Sequence, residues 1–378
     1  MAGIYFHIPF CKQACSYCDF YFTTHQNEKE KLLRCMDEEI VNRLPAFHFN
    51  EIKSIYFGGG TPSVLSYLEI QQLISKATST VALMPDAEIT LEANPDNLSM
   101  EFLTALKTKT LVNRLSIGMQ SFHASELELM YRAHNVAESI QAFKNAREVG
   151  FENISLDLIY GVPGSTLTSW KANVQRAIDL NPEHLSAYCL TIEDNTRLKY
   201  WIEKGRHIYP EESLILEQSE LLMEMTQSAG YEHYEISNFA KPNQYAKHNT
   251  NYWKGEPYLG IGPSAHSFKG NERSWNISNT KEYILRTGQN KVTFETETLS
   301  KIDRFNEFIM IHLRTQWGLH TNKIEELFGP DYLDAFIQQG EKIDKTLLQN
   351  NGDLYTLTKQ GKHQADGIAS SFFLVTSP

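Results

Sequence analysis

Three cysteines lie close together near the start of the chain, in the stretch HIPFCKQACSYCDF. Cys11, Cys15 and Cys18 give the spacing C-x₃-C-x₂-C. Three thiolates can ligate zinc if a histidine such as His7 or His25 completes the tetrahedron, but zinc ribbons normally carry a second cysteine pair, which this sequence lacks. A [4Fe-4S] cluster fits the spacing better, because thiolates are its usual ligands and three of them leave one iron open to chelate a small molecule.

The other two cysteines are predicted to be structural. Cys35 lies in a segment of helical periodicity and Cys189 in a strand-like segment, so we expect both to be small buried hydrophobic residues. Five cysteines with three of them clustered fit poorly with a set of disulfides in a secreted fold. The start MAGIYFHIPF lacks the features of a signal peptide, and no run of eighteen apolar residues occurs. The chain is therefore predicted to be cytoplasmic, without a transmembrane segment.

The composition predicts an ordinary globular protein. Of 378 residues, 41% are hydrophobic and 21% are charged, which is enough to bury one large domain and a smaller one. The formal net charge of -11 disfavours a nucleic-acid-binding protein, since these usually carry a basic patch.

Six short apolar or β-branched runs alternate with longer segments of helical periodicity. The predicted strands cover residues 4–8, 54–58, 88–93, 114–119, 154–161 and 184–192. The predicted helices cover residues 28–44, 66–80, 99–108, 125–149, 167–179 and 211–228. Because a parallel strand pair needs a long crossover, six strand–helix units in series predict a parallel sheet covered by helices.

Polar residues and glycines follow successive predicted strands at the same end. The second strand runs into GGGTP at residues 58–62, the third carries Glu92, the fourth leads to Gln120 and the fifth holds Asp157. Taken singly, these are a flexible turn, a solvated charge and a helix cap. Together they predict one ligand site, because the carboxyl ends of parallel strands in a barrel-like sheet meet at one edge. The three-cysteine loop follows the first strand at that same edge.

These residues carry a family resemblance. The cysteine loop after a first strand, with Tyr17 between its last two cysteines and GGGTP after the second strand, resembles the radical S-adenosylmethionine superfamily. The resemblance implies an α/β fold with a partial (β/α)₆ barrel. It also implies a [4Fe-4S] cluster whose open iron chelates the amino and carboxylate groups of S-adenosylmethionine, so that an electron from the cluster cleaves the sulfonium to a 5′-deoxyadenosyl radical.

A narrower resemblance covers almost the whole chain. The stretches YFHIPFCKQACSYCDF, YFGGGTPS, LEANP, NRLSIGMQSF, RAHN, LDLIYGVPG and LGIGPSAHSF are similar to the oxygen-independent coproporphyrinogen III oxidases and to their relatives, the HemW heme chaperones. The S-adenosylmethionine contacts that this resemblance implies are Tyr5, Gly59, Gly60, Thr61, Glu92, Gln120, Arg132 and Asp157. For Arg132 the alternative is a surface arginine favoured by the dipole of a helix end.

Three features of the sequence favour the chaperones over the oxidases. Phe20 stands where the oxidases have a further cysteine, and Cys11 lies too close to the start for the N-terminal extension of the oxidases. The hexapeptide HNTNYW matches the H-N-x-x-Y-W signature of the chaperones. Its His248 is the predicted heme ligand, because a neutral imidazole is a good axial donor, and His266 is a rival.

The aromatic residues of the same hexapeptide are predicted heme contacts. Tyr252 and Trp253 are large flat groups that can stack against a porphyrin. The alternative is that both are packing residues beside Tyr258 and that His248 is a hydrogen-bonded structural histidine.

The last eighty or so residues are predicted to form a separate unit. Three helical patterns precede two short strand-like runs around Asn-Gly-Asp, followed by a final helix, which is a winged-helix-like α+β order. Its acidic residues disfavour DNA binding. The predicted domains are a barrel over residues 1–230, a less regular connector over 231–300 that carries HNTNYW and folds over the barrel mouth, and the C-terminal unit over 301–378.

The resemblance implies a heme chaperone that binds heme and delivers it to respiratory membrane proteins, on a fold that holds a [4Fe-4S] cluster and S-adenosylmethionine. No residue is assigned a catalytic role, and a homodimer is an allowed assembly. The alternative is an oxygen-independent coproporphyrinogen III oxidase, which decarboxylates propionate side chains in porphyrin biosynthesis. A third possibility is a zinc-stabilised binding module without redox chemistry.

Overall fold

The first 228 residues alternate strands with helices. The computed structural model of the chain describes residues 2–375. The elements of this first part are β1 (Ala2–Ile8), α1 (Lys29–Phe47), β2 (Glu51–Gly59), α2 (Tyr67–Thr78), β3 (Ala82–Ala93), α3 (Met100–Lys109), β4 (Arg114–Gln120), α4 (Ala124–Leu129), α5 (Val136–Glu148), β5 (Asn153–Tyr160), α6 (Leu167–Asp179), β6 (His184–Cys189), α7 (Arg197–Glu203) and α8 (Glu212–Ser228). The six strands pair in parallel in the order β1-β2-β3-β4-β5-β6. The predicted parallel sheet with covering helices is therefore confirmed.

The two faces of this sheet differ in chemistry. In β1, Ile4 and Phe6 are buried in the large hydrophobic cluster against the helices, whereas the alternating residues Gly3, Tyr5 and His7 belong to the opposite, inner face. This alternation follows from the two-residue period of a strand. The inner faces of the other strands carry mostly polar residues. The hydrophobic packing of the sheet is therefore on the helix side, and the inner side can bind polar ligands.

One predicted helix is wrong. The segment predicted as a single helix over 125–149 forms α4 and α5, separated by residues 130–135. Asn135 caps α5 through a capping box with Glu138, and Tyr131 has a positive φ of 57°, which a helix does not allow. The turn between the two helices contains the RAHN motif.

The segment predicted as an irregular connector has regular structure. It forms β7 (Glu232–Glu235), β8 (Asn238–Ala240), α9 (Lys247–Trp253), β9 (Tyr258–Ile261), β10 (His266–Lys269), β11 (Glu272–Asn276), α10 (Thr280–Gly288) and β12 (Phe294–Thr298). These strands extend the central sheet on both sides, to twelve strands in the order β12-β11-β10-β9-β1-β2-β3-β4-β5-β6-β8-β7. The prediction of a connector over the barrel mouth differs from this arrangement, because α9 contacts β2 and β3 inside the barrel.

The C-terminal unit has its own core. It consists of α11 (Lys301–Leu313), β13 (Leu319–His320), α12 (Thr321–Phe328), α13 (Pro330–Gly340), β14 (Leu348–Asn351), β15 (Leu354–Leu357), α14 (Lys359–Lys362) and α15 (Ala365–Ser371). A second hydrophobic cluster, which includes Phe305, Phe336 and Phe372, holds these elements together. The three helices followed by a hairpin were predicted, and a small sheet in the order β13-β15-β14 completes the unit. Among residues 2–375, no helix is long and apolar enough to span a membrane.

Candidate functional site

A cavity of about 460 Å³ opens at the carboxyl ends of the parallel strands. Ten of the residues predicted from the sequence line this cavity together: Cys11, Cys15, Cys18, Gly59, Gly60, Thr61, Glu92, Gln120, Arg132 and Asp157. They come from the cysteine loop, the turn after β2, the strands β3, β4 and β5, and the α4–α5 turn, and are up to 146 residues apart in sequence (157 − 11). The structure thus brings the cysteine loop and the polar strand ends to one place.

Backbone and side-chain contacts fix the cysteine loop over the cavity. The amide of Cys11 donates a hydrogen bond of 3.0 Å to the carbonyl of Thr23, and the Thr61 hydroxyl donates to Cys11 Sγ at 3.4 Å. At the other end of the loop, the Ser16 amide donates to the carbonyl of Met130 at 3.1 Å. The loop is therefore tied to the GGGTP turn on one side and to the α4–α5 turn on the other.

The glycines of the turn after β2 are required by close packing. A Cβ atom on Gly60 would lie 2.9 Å from the carbonyl oxygens of Ile8 and Phe10. Gly59 has a φ of +105°, and a Cβ atom there would lie 2.7 Å from the ring of His7. Side chains are excluded at both positions, so backbone groups of the turn line the cavity directly.

The donor set fits an iron–sulfur cluster. The three cysteines are free thiols, and burial raises the pKa of Cys18 to about 12. A metal deprotonates a thiol that ligates it, whereas a free thiol with such a pKa stays protonated and unreactive at neutral pH. Among residues 2–375, no three His, Cys, Asp or Glu side chains converge on one ion-sized point, as a mononuclear zinc site requires. In a cubane cluster each thiolate ligates a different iron, so such convergence is not needed.

Both ring nitrogens of His7 are engaged in hydrogen bonds, so His7 could ligate zinc only after one of these bonds breaks. Its Nε2 atom lies 3.0 Å from the carbonyl oxygen of Tyr21, and its Nδ1 atom lies 3.2 Å from the hydroxyl of Tyr5. The other proposed zinc donor, His25, is exposed and outside the cavity lining. The geometry favours the cluster over a zinc site.

Two half-buried carboxyl groups line the same cavity as the cysteine loop. Burial, assisted by the charge of Asp157, raises the pKa of Glu92 to about 7, and Tyr56 donates a hydrogen bond of 2.6 Å to its carboxylate. Burial also raises the pKa of Asp157, which accepts hydrogen bonds of 3.2 Å from the hydroxyl of Ser116. A cationic ammonium or a ribose hydroxyl would find acceptors here.

Arg132 faces the cavity, so the alternative of a surface arginine is wrong. Its Nη2 atom donates to Asn94 Oδ1 at 2.7 Å and to the carbonyl of Gly118 at 3.0 Å, while Nη1 lies 3.4 Å from Cys15 Sγ. The adjoining Gln120 has a positive φ of 64°, an uncommon conformation for a residue other than glycine. Strained backbone of this kind is concentrated at ligand sites.

Four predicted contact residues do not line the cavity. Tyr5 is partly buried and bonds to His7, beneath the turn. His248, Tyr252 and Trp253 lie on α9, whose Asn249 does reach the cavity. The predicted heme contacts and Tyr5 therefore lie apart from the other predicted S-adenosylmethionine contacts.

His248 is held inside the barrel. It is only 1% exposed, its Nδ1 atom lies 2.8 Å from the Ser54 hydroxyl, and its Nε2 atom lies 2.7 Å from the Tyr252 hydroxyl. A Cβ atom on Gly3 would lie 3.2 Å from this ring, so β1 leaves the space that His248 occupies. Because both ring nitrogens are hydrogen-bonded, ligation of an iron requires one of these bonds to break.

Other residues from the sequence analysis have clear places. His266 is exposed at the start of β10, with its ring 6.3 Å from that of Trp275. Phe20 is 70% exposed at the cavity rim. Cys35 is buried as predicted, but Cys189 is only partly buried and lines the cavity, so the prediction of a buried Cys189 is wrong.

Sequence reasoning missed several lining residues. Ser116 bonds to Asp157, and Arg114 lies at the inner end of β4. The sequence around Arg114 contains a feature that could have marked it as a site residue. Arg114 lies in a strand that is buried almost throughout, and a charge in a buried strand is expected to have a purpose.

Comparisons with known proteins show the family to which the chain belongs. The model of the family described as Radical SAM superfamily matches residues 5–177, and that of the HemN C-terminal domain matches residues 299–362. The chain is 35% identical over 378 residues to a protein of Bacillus subtilis (strain 168) named Heme chaperone HemW, with 98% of this chain and 99% of that one covered. It is 32% identical to the protein of the same name from Escherichia coli (strain K12), with 95% of each chain covered.

Solved structures share the fold. Coproporphyrinogen III oxidase (HemN) from Escherichia coli superimposes with a TM-score of 0.86 at 24% sequence identity, over 98% of this chain and 90% of that one. At this identity the likeness concerns the fold alone, and it confirms the predicted barrel with its small C-terminal domain. The cysteine loop, the glycine turn and the near full-length similarity lead to one conclusion: the chain belongs to the radical S-adenosylmethionine superfamily and, within it, to the HemW family.

Proposed function

We propose that the chain binds heme and delivers it to respiratory proteins, as a chaperone built on a fold that holds a [4Fe-4S] cluster and S-adenosylmethionine. The observation that carries the proposal is the similarity over 98% of the chain to a protein named Heme chaperone HemW. It extends through residues 231–300 as well as the barrel, and thus includes HNTNYW. Thiol ligands must stay reduced, which supports a cytoplasmic location. Respiratory membrane proteins as acceptors and a homodimeric assembly stay predictions.

The cavity supplies the groups that such a fold needs. Cys11, Cys15 and Cys18 would hold the cluster, which supplies one-electron reduction of a sulfonium when it is bound. Arg132 would bind a carboxylate of the nucleoside cofactor and Glu92 its ammonium group, since both side chains line the same cavity.

His248 is the proposed heme ligand. Burial lowers its pKa to about 3, so its imidazole is neutral at physiological pH, as ligation requires. Heme binding then has to free the ring from Ser54 or Tyr252. Breaking this hydrogen bond opposes binding, so we expect the affinity for heme to be lower than that of an exposed histidine with the same contacts.

Hemin titration of His248→Ala and His266→Ala tests this assignment. We expect the first variant to bind hemin at least tenfold more weakly with unchanged iron and sulfide content, and the second to bind like the wild type. The His266 variant is the matched control, because His266 is exposed and has a neighbouring aromatic ring. The opposite result would move the ligand to His266. Absence of hemin binding by the wild type would overturn the proposed function.

Coproporphyrinogen III oxidation is a second candidate. The likeness to the oxidase fold over 98% of the chain and the cavity with Glu92, Arg132 and Asp157 favour it. Phe20 disfavours it, because a phenyl ring cannot replace a thiol in redox or acid–base chemistry. Anaerobic product analysis with coproporphyrinogen decides: protoporphyrinogen formed at a catalytic rate would establish the oxidase, and heme binding without product would establish the chaperone.

A further inference from the structure

Arg114 is a buried cation that faces the cavity without a full set of partners. It is 1% exposed, yet it lines the cavity. Its Nε atom is buried without a hydrogen-bond partner among residues 2–375, and Oε2 of Glu88 lies 3.8 Å away, beyond hydrogen-bond distance. A buried guanidinium left in this state is costly, because it has lost its hydration without gaining hydrogen bonds.

The carboxyl groups near Arg114 are used by other donors. The two oxygens of Glu88 accept the backbone amides of Lys247 and His248, each at 3.0 Å, and thereby cap α9. Glu92 accepts the Tyr56 hydroxyl, and Asp157 accepts the hydroxyl of Ser116. Arg114 balances these charges at a distance but does not share in their hydrogen bonds. Charge balance alone explains a cation at this position, but it does not explain a guanidinium that lines the cavity with a buried Nε atom lacking a hydrogen-bond partner.

We infer that Arg114 is an anion-binding residue at the inner end of the cavity, and that it receives a carboxylate of the bound ligand. A guanidinium binds a carboxylate through two parallel hydrogen bonds, which a lysine cannot imitate. The cavity gives access to it from the carboxyl ends of the strands, past Ser116 and Asp157. The site therefore selects ligands that carry an acidic arm.

The favoured source of the carboxylate is a propionate side chain of a tetrapyrrole, a step that rests on the proposed function. The methionyl carboxylate of the nucleoside cofactor already has Arg132, which is bonded at Gly118, four residues further along β4 and thus roughly 13 Å from Arg114 along the strand.

The test compares acids with matched ligands that lack the acid. Wild type, Arg114→Gln and Arg114→Lys, all with the cluster reconstituted, are titrated with hemin and hemin dimethyl ester, and with S-adenosylmethionine and its decarboxylated analogue. We expect the wild type to prefer hemin over its ester by roughly 10- to 100-fold, the range for a hydrogen-bonded charge pair. Arg114→Gln should abolish this preference without weakening ester binding, and Arg114→Lys should keep only part of it.

A matched control removes one positive charge elsewhere. Arg286→Gln in α10, where Arg286 is ion-paired with Glu282 on the surface, should keep the full preference for hemin. If Arg114→Gln abolishes only the preference for S-adenosylmethionine over its decarboxylated analogue, Arg114 binds the methionyl carboxylate instead. If Arg114→Gln weakens the binding of acidic and neutral ligands equally, or leaves the affinities within both pairs unchanged, Arg114 has a purely structural role. Either result would overturn the inference. If the wild type binds no hemin, the proposed function fails and the nucleoside pair alone decides the role of Arg114.

Discussion

The imidazole ring of His248 stacks on the phenol ring of Tyr56, with ring centroids 5.0 Å apart and an interplanar angle of 27°. The hydroxyl of the same tyrosine donates the hydrogen bond to Glu92. One aromatic ring thus touches both the HNTNYW helix and the wall of the cavity. Tyr56 therefore connects α9 to Glu92 through a single side chain.

Removal of the Tyr56 hydroxyl should make cofactor binding more dependent on pH. The pKa of Glu92 is about 7 because burial raises it, and the hydrogen bond from Tyr56 opposes that rise. Tyr56→Phe should therefore raise this pKa further. Because a protonated Glu92 no longer attracts an ammonium group, the affinity for S-adenosylmethionine should fall about 3- to 10-fold at pH 7. Calorimetric titrations between pH 6 and 9 would measure this effect, and the two proteins should converge at high pH. An equal loss at every pH would contradict the explanation.

Loss of one loop cysteine should remove the cluster and leave the fold intact. Cys15→Ser takes away one of three thiolates in a loop that backbone hydrogen bonds hold in place. We expect iron and sulfide content near zero after anaerobic reconstitution, with an unchanged circular dichroism spectrum. Cys35→Ser, at a buried position outside the cavity, is the control and should keep its cluster. Full iron content in Cys15→Ser would exclude this ligand.

A methyl group at Gly60 should disturb the cysteine loop. Its Cβ atom would press on the carbonyls of Ile8 and Phe10, on either side of the path into the loop. Gly60→Ala is expected to lower the free energy of unfolding by about 1–3 kcal/mol and to reduce the iron content. Gly367→Ala is the matched change, because Gly367 is an exposed position of α15 where a Cβ atom would meet nothing within 4 Å. It should be neutral or stabilising by up to about 1 kcal/mol. Urea unfolding measures both, and equal stabilities would contradict the packing argument.

His248 should contribute to stability as well as to binding. Its replacement by alanine removes a buried ring and leaves the hydroxyls of Ser54 and Tyr252 without this partner. We expect His248→Ala to lower the free energy of unfolding by about 2–4 kcal/mol, and His266→Ala to change it by less than about 0.5 kcal/mol. Denaturant titration of the heme-free proteins checks this difference. Two equally stable variants would mean that α9 is only loosely held in the barrel.

Local patterns were sufficient for the barrel and the cluster loop. Runs such as SIYFG and ISLDLIYG form strands because their β-branched and aromatic residues favour extended backbone between helices. The C-x₃-C-x₂-C spacing lies within one loop, so its meaning did not depend on distant parts of the chain. The convergence of Glu92, Gln120 and Asp157 followed from the parallel order of the strands.

Contacts between distant segments were not predictable in this way. The pairing of β9 with β1 joins residues about 255 positions apart, such as Gly3 and Tyr258, and no local pattern signals it. The same holds for α9, whose amino end is capped by Glu88 from β3. A seven-residue helix with a remote cap has little helical propensity of its own, so the sequence suggested a loop instead.

The pairing of β9 with β1 also has a consequence for maturation on the ribosome. β1 leads directly into the cysteine loop, and one of its two edges stays open until Tyr258–Ile261 have been synthesised. An open edge is a template for wrong pairings and leaves the strand less firmly held. Iron and sulfide that are present before about two thirds of the polypeptide has been synthesised would meet a cysteine loop whose supporting strand β1 is paired on one edge only. We therefore expect the cluster to be loaded only after β9 has been synthesised and has paired with β1.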